Sequence, residues 1–125
     1  MSFSESIRIC FIKYFDFSGR ARRSEFWFFN LFCIFVSSVY DFLFVSDANL
    51  ANPEIALSIW ISFFISCFLL IPLLAVGARR LHDINKSGWL QLLFITVIGI
   101  IPLITWWIME GTKESNRFGE PAKSN

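Results

Sequence analysis

Three long apolar runs set the pattern of the chain. They cover residues 26–45, 55–78 and 89–109, and Asp41 is the one charged residue within them. A helix rises about 1.5 Å per residue, so about 20 residues span the roughly 30 Å hydrocarbon core of a bilayer. The runs are continuous rather than alternating, which disfavours the strands of a membrane barrel. The pattern therefore predicts three transmembrane helices.

The composition points to the same class of protein. Of the 125 residues, 55% are hydrophobic and 17% are charged, and the mean hydropathy is +0.58. Average soluble domains carry about 25% charged residues, and a chain this short has too little interior to bury so many apolar side chains. No internal repeat or long linker divides the sequence. We therefore predict an all-α integral membrane helical bundle that forms a single domain over residues 1–125.

The residues outside the apolar runs have patterns of their own. Residues 3–15 place apolar side chains at helical spacing and polar ones on the remaining arc, which predicts a short amphipathic helix in the headgroup layer. Residues 110–125 are rich in Gly, Ser, Asn, Lys and Glu, which predicts a flexible tail.

The basic residues indicate the orientation. Five precede the first run, three lie between the second and third runs, and none lies in the loop at 46–54. The positive-inside rule therefore predicts a cytoplasmic N-terminus, and three full crossings then place the tail outside. Gly99 and Pro102 leave an alternative open, in which the third run re-enters and returns the tail to the cytoplasm. The length of the third run suits one crossing better than two.

Two polar segments on the predicted cytoplasmic side carry the candidate functional residues. Residues 17–27 read FSGRARRSEFW and residues 77–89 read GARRLHDINKSGW. Guanidinium groups hold phosphate or carboxylate in a two-pronged hydrogen bond, and headgroup phosphate is the nearest anion. With two residues of the tail, these segments form a candidate site for anionic lipid or a partner membrane protein, made of Arg20, Arg22, Arg23, Glu25, Arg79, Arg80, His82, Asp83, Lys86, Trp89, Asn116 and Arg117.

The same residues allow simpler interpretations. The arginines satisfy the topology rule by themselves, with their charged ends reaching the headgroups. Ion pairs are a second interpretation, because Arg20 and Arg23 lie within two helical turns of Glu25. The two arginines at 79–80 are also expected to pair with Glu25 and Asp83.

His82 and Asp83 raise the question of acid–base or metal chemistry, but nothing in the sequence completes such a site. The chain has one His and three Cys, without a CxxC pair. The sequence therefore predicts no metal and no cofactor. The three cysteines are expected to be reduced and to serve as small apolar residues.

Two polar features lie inside the apolar runs. Asp41 is about 22 Å along the first helix from Phe26, which predicts a position near the external interface, with a part in an ion pathway as the alternative. Ser58, Ser62 and Ser66 recur at every fourth position, a spacing that favours close helix packing within the protein or between copies.

Three ordered motifs resemble those of the YhaH-like proteins, small bacterial inner-membrane proteins that form a domain family of unknown function. They are the two polar segments and NRFGEP at residues 116–121. The Asn85-Lys86 pair is the main departure from the family pattern. The resemblance implies a multi-pass protein of the bacterial inner membrane without an established activity. If all three motifs serve one surface, the tail lies on the same side as the other two, which conflicts with three full crossings.

Three functions remain open from the sequence. We favour a non-enzymatic membrane module whose cytoplasmic Arg/His/Asp surface binds anionic lipid or a partner membrane protein, with a homo-oligomer as a further partner alternative. A small oligomeric transporter or channel is the alternative, although the runs hold no ionisable residue near mid-depth. The third is an enzyme acting on lipid headgroups, with His82 and Asp83 as its acid–base pair. A formal charge of +1 gives no general attraction to nucleic acid.

Overall fold

The computed structural model describes residues 1–46 and 51–122, and within these ranges the regular structure is helical. The helices are α1 (Phe3–Ile12), α2 (Arg23–Phe44), α3 (Pro53–Asp83) and α4 (Ile100–Ile108), and a 3-10 segment covers Gly88–Ile95. The prediction of an all-α fold is confirmed. The loop at 46–54 and the tail lie partly outside the described residues.

α1 begins with a capping box. The Ser2 hydroxyl accepts a hydrogen bond from the Glu5 amide at 3.2 Å, and the Glu5 carboxylate accepts one from the Ser2 amide at 3.4 Å. The helix ends at Ile12, three residues earlier than predicted. Ser6 and Cys10 are fully buried against α2 and α3, and the Tyr14 hydroxyl donates to the Phe68 carbonyl at 2.5 Å. α1 therefore packs on the bundle with its small side chains facing inward.

α2 and α3 form an antiparallel pair. In the described part of the chain, these two helices are long and apolar enough to cross a membrane. Asn52 caps α3 by accepting from the Glu54 amide at 3.0 Å, and Pro53 stands at the first helical position, where a missing amide costs nothing. α3 continues five residues past the apolar run, to Asp83. This extension carries the residues of the second polar motif into the bundle.

The third apolar run does not form one helix, so the predicted single helix over 89–109 is wrong, and a third transmembrane crossing is not confirmed. The 3-10 segment ends at Ile95, and a turn leads into α4. The Thr96 hydroxyl makes this turn by donating to the Leu93 carbonyl at 2.8 Å and accepting from the Gly99 amide at 3.1 Å. A Cβ on Gly99 would lie 2.4 Å from the Leu93 carbonyl oxygen, so the turn requires glycine there.

Both ends of the folded-back run lie beside the last turns of α3. Gly88 packs against Ala78, where a Cβ would come within 2.8 Å of the alanine methyl, and the Met109 carbonyl accepts from Arg80. At about 2.0 Å per residue for the 3-10 segment and about 1.5 Å for α4, the arms measure roughly 16 and 14 Å, about half a hydrocarbon core. The run therefore forms a short hairpin that returns to the end where it began.

The tail is irregular but fastened to the bundle. The Thr112 amide donates to the Asp83 carbonyl at 2.8 Å, and Asn116 and Gly119 exchange two backbone hydrogen bonds. The described residues 17–27, 77–89 and 110–122 therefore meet at one end of the molecule, which we call the polar end. Residues 123–125 lie outside the described chain.

Candidate functional site

Arg20 lies at the centre of the polar end. Gly19, at φ +78°, turns the chain so that the Arg20 side chain enters the bundle, where it is 2% exposed. Its Nε donates to Asp83 Oδ1 at 2.8 Å, and its two Nη groups donate to the Glu114 carbonyl at 2.9 Å and the Thr112 carbonyl at 2.5 Å. Arg20 therefore joins α3 to the tail.

Arg80 makes the second arginine contact with the Asp83 carboxylate. It is fully buried, and its Nη1 donates to Asp83 Oδ2 at 2.5 Å. Its Nε donates to the Trp107 carbonyl at 3.1 Å, and its Nη2 donates to the Met109 carbonyl. These are carbonyls at the end of α4 that have no partner within the helix. Arg80 therefore caps α4 and fixes it against α3.

Arg79 leaves α3 in a different direction from Arg80 and pairs with Glu25. Its Nη1 lies 2.6 Å from Glu25 Oε1, and both side chains are buried. The Cys10 thiol donates to the same carboxylate oxygen at 3.9 Å, and burial is the main reason that its pKa rises from 9.0 to about 12. The thiol is therefore a neutral hydrogen-bond donor at physiological pH rather than a nucleophile.

These five residues form what we call the buried ion cluster: Arg20, Glu25, Arg79, Arg80 and Asp83. Its three guanidinium groups face two carboxylates, which leaves one positive charge in excess. Removing one partner of a buried pair costs about 3–5 kcal/mol, because the remaining charge is left without compensation. The expected pairing of the arginines at 79–80 with Glu25 and Asp83 is confirmed. The expected pairing of Glu25 with Arg20 or Arg23 is wrong, because Glu25 turns inward toward α3.

His82 is held by contacts with the entry to α2 and with the tail. Its Nδ1 lies 3.0 Å from the Gly19 carbonyl oxygen, so this nitrogen is the donor. The ring of Phe118 stacks on the imidazole at 3.9 Å and 6°, and Asn116 Nδ2 donates to the His82 carbonyl at 2.9 Å. With these contacts, His82 and Asn116 join the tail to α3.

The remaining candidate residues lie around this buried cluster with accessible side chains. Arg23 contacts the exposed Glu110 at 3.7 Å, a distance typical of a weak surface pair. Lys86 Nζ lies 4.9 Å from the centre of the Trp106 ring, and Arg117 lies over Phe118. Arg22 is partly exposed, and Trp89 is 79% exposed. We call these five residues the outer basic ring: Arg22, Arg23, Lys86, Trp89 and Arg117.

Sequence reasoning missed the tail backbone at Gly111, Thr112 and Glu114, and it did not name Phe118 as a site residue. The tail carbonyls of Thr112 and Glu114 accept from Arg20, and Phe118 stacks on His82. Gly111 packs so closely on Asp83 that a Cβ would lie 1.9 Å from Oδ2. Backbone acceptors leave no residue signature, whereas the NRFGEP motif did point to Phe118. Among the described residues, no three His, Cys, Asp or Glu side chains are grouped to hold a metal ion.

The sequence is similar over most of its length to one protein family and to proteins of Escherichia coli. Residues 14–120 match the family described as "Protein of unknown function (DUF805)". The chain is 35% identical over 114 residues to the inner membrane protein YhaI of Escherichia coli K12, an alignment that covers 88% of each chain. It is 36% identical over 111 residues to the inner membrane protein YhaH of the same organism, covering 88% of this chain and 89% of YhaH. No solved structure gives a significant match.

Proposed function

This chain belongs to the DUF805 family of proteins of unknown function, and on that premise we propose that it is a non-enzymatic module of the inner membrane that binds anionic phospholipid at its polar end. In this proposal α2 and α3 cross the bilayer. The hairpin made by the 3-10 segment and α4 enters only the near half, and both termini face the cytoplasm.

The distribution of basic residues supports this orientation. All eleven Lys and Arg residues precede residue 24 or follow residue 78. With two crossings they share one side of the membrane, and the loop between α2 and α3 has none. The positive-inside rule then assigns the polar end to the cytoplasm.

The observation that carries the binding proposal is the division of the polar end into an inner and an outer set of cations. The arginines of the buried ion cluster donate to carboxylates and carbonyls of the protein, and they have almost no exposed surface. The outer basic ring, by contrast, presents four cationic side chains and Trp89 that are partly or largely exposed. Basic groups near the membrane surface each contribute about 1 kcal/mol toward binding anionic headgroups.

The test compares lipid preference in the purified protein. Thermal unfolding in detergent, with added phosphatidylglycerol or phosphatidylcholine, should show stronger stabilisation by the anionic lipid. Changing Arg22, Arg23, Lys86 and Arg117 together to Gln should lower the apparent affinity for phosphatidylglycerol at least about tenfold, from loss of the contributions above.

Glu54→Gln is the matched control, because it removes one charge near the start of α3, away from the polar end, and should leave the preference intact. Equal stabilisation of the wild type by both lipids, or an unchanged preference in the quadruple variant, would refute lipid binding by this surface. A protein without lipid preference that crosslinks in cells to one membrane protein through position 117 would assign the outer basic ring to that partner instead.

A further inference from the structure

An open groove of about 570 Å³ lies between α2 and α3, away from the polar end. Its polar lining includes Asp41, Ser46 and Ser62, and its apolar lining includes Phe42, Ile59 and Phe63. Phe42 is 75% exposed, so the groove faces outward from the bundle. In the proposed topology this surface faces lipid, in the leaflet opposite the outer basic ring.

Among the described residues, Asp41 has no cation to pair with. No Lys, Arg or His occurs between residues 24 and 78, and the ion pairs of the described residues all lie at the polar end. Its Oδ1 accepts from the Ser62 hydroxyl at 2.6 Å. A carboxylate at the membrane interface gains from a counter-charge, and because the described chain supplies none there, we expect the counter-charge from outside the chain.

We propose that this groove binds the primary ammonium headgroup of a phospholipid, as in phosphatidylethanolamine. Charge complementarity supports this occupant, because the groove offers a carboxylate and no competing cation. An ammonium group has three N–H donors and no acceptor. Asp41 supplies carboxylate oxygens, and the hydroxyls of Ser46 and Ser62, which donate to Phe42 and Asp41, keep lone pairs that accept.

The order of polar and apolar groups matches the shape of a lipid. Asp41 stands three residues before Phe44, the last residue of α2, which is about 4.5 Å from the end of the helix. Headgroups meet acyl chains at this depth. Phe63 and Ser66 continue the groove toward the middle of α3, where an acyl chain would lie.

The chemistry also predicts which lipids the groove rejects. A choline headgroup has the same positive charge but no N–H to donate, and a glycerol headgroup carries no cation to offset the lipid phosphate next to Asp41. Charge-assisted hydrogen bonds contribute about twice as much as neutral ones. We therefore expect phosphatidylethanolamine to bind at least about tenfold more tightly than phosphatidylcholine.

Native mass spectrometry of the full chain in detergent, titrated with each lipid, tests this. Asp41→Asn should reduce the preference for phosphatidylethanolamine over phosphatidylcholine to about one, and Glu54→Gln should preserve it. A wild type that binds both lipids equally, or a preference that survives Asp41→Asn, overturns the proposal. A dimer in the wild type that disappears in Asp41→Asn also overturns it, because the groove would then hold a second copy.

A second measurement does not depend on the variant folding. In the wild type, affinity should fall stepwise through N-methyl and N,N-dimethyl phosphatidylethanolamine to phosphatidylcholine, as each methyl group removes a donor. A flat series overturns the proposal. Glycerophosphoethanolamine, which lacks acyl chains, should fail to compete, and full competition would show that the apolar part of the groove binds nothing. The phosphatidylglycerol preference at the outer basic ring should be the same in Asp41→Asn, so the two proposals fail independently.

Discussion

At the scale of single residues, Asp83 joins several parts of the polar end. Its carboxylate accepts from Arg20 and Arg80, and its backbone carbonyl accepts from Thr112. One residue at the end of α3 thus joins the entry to α2 and the tail. A carboxylate with two guanidinium partners and little exposed surface is expected to contribute strongly to stability, since either arginine left alone would be a buried, unpaired charge.

Gly111→Ala tests this connection without removing a charge. The added Cβ would lie 1.9 Å from Asp83 Oδ2, so the carboxylate must leave its position and loosen its contacts with Arg20 and Arg80. Overpacking of this kind costs about 1–3 kcal/mol in unfolding free energy, which we expect to see as a lower thermal midpoint in detergent.

Ser115→Ala is the control, because Ser115 is exposed in the same part of the tail and should leave the midpoint unchanged. If Gly111→Ala melted like the wild type, the close packing of the tail on Asp83 would not contribute to stability.

At the scale of elements, the hairpin at the third apolar run shows the limit of hydropathy as a guide. The run is long enough for one crossing and carries no charge, so its hydropathy does not show whether it continues as one helix or folds back. Thr96 and Gly99 make the difference. The Thr96 hydroxyl hydrogen-bonds to the Leu93 carbonyl and the Gly99 amide, and Gly99 lets the backbone come close to the Leu93 carbonyl. Side-chain hydrogen bonds to the local backbone compete with helix in this way.

Gly99→Ala should therefore destabilise the hairpin. The new Cβ would meet the Leu93 carbonyl at 2.4 Å, and a backbone atom has little freedom to move aside. Overpacking of this kind costs about 1–3 kcal/mol, which a thermal unfolding curve in detergent resolves. Val97→Ala, at a position that is 84% exposed in the same turn, serves for comparison and should have a smaller effect. An equal loss in both variants would argue against the close approach at Gly99.

At the scale of the whole molecule, the two-crossing proposal depends on the hairpin entering only part of the bilayer. A fluorescent-protein reporter fused after Asn125 should fluoresce in the cytoplasm, and an alkaline phosphatase reporter there should be inactive. Phosphatase fused after Ala51, between α2 and α3, should be active and serves as the positive control. Active phosphatase after Asn125 would mean that the third run crosses fully, and the two-crossing proposal would be wrong.

Local patterns in the sequence predict the helices, whereas the polar end depends on contacts across the chain. The helical fold and the family follow from the apolar runs and the three motifs, and the pairing of Arg79 with Glu25 was expected from their charges. The contact of Arg20 with Asp83 joins residues 63 apart, and the tail acceptors are backbone carbonyls of no particular residue type. No periodicity encodes such contacts. The conflict between three crossings and three motifs on one surface was the sequence signal that pointed to the hairpin.

The half-length hairpin gives the molecule a taper. A section through the polar half cuts α2, α3 and both hairpin arms, whereas a section near the start of α3 cuts only the two long helices within the described chain. In the proposed two-crossing topology, such a body takes up more lateral area in one monolayer than in the other. Its insertion therefore packs one leaflet more tightly than the other. We expect a membrane region rich in this protein to curve so that the more crowded leaflet gains area.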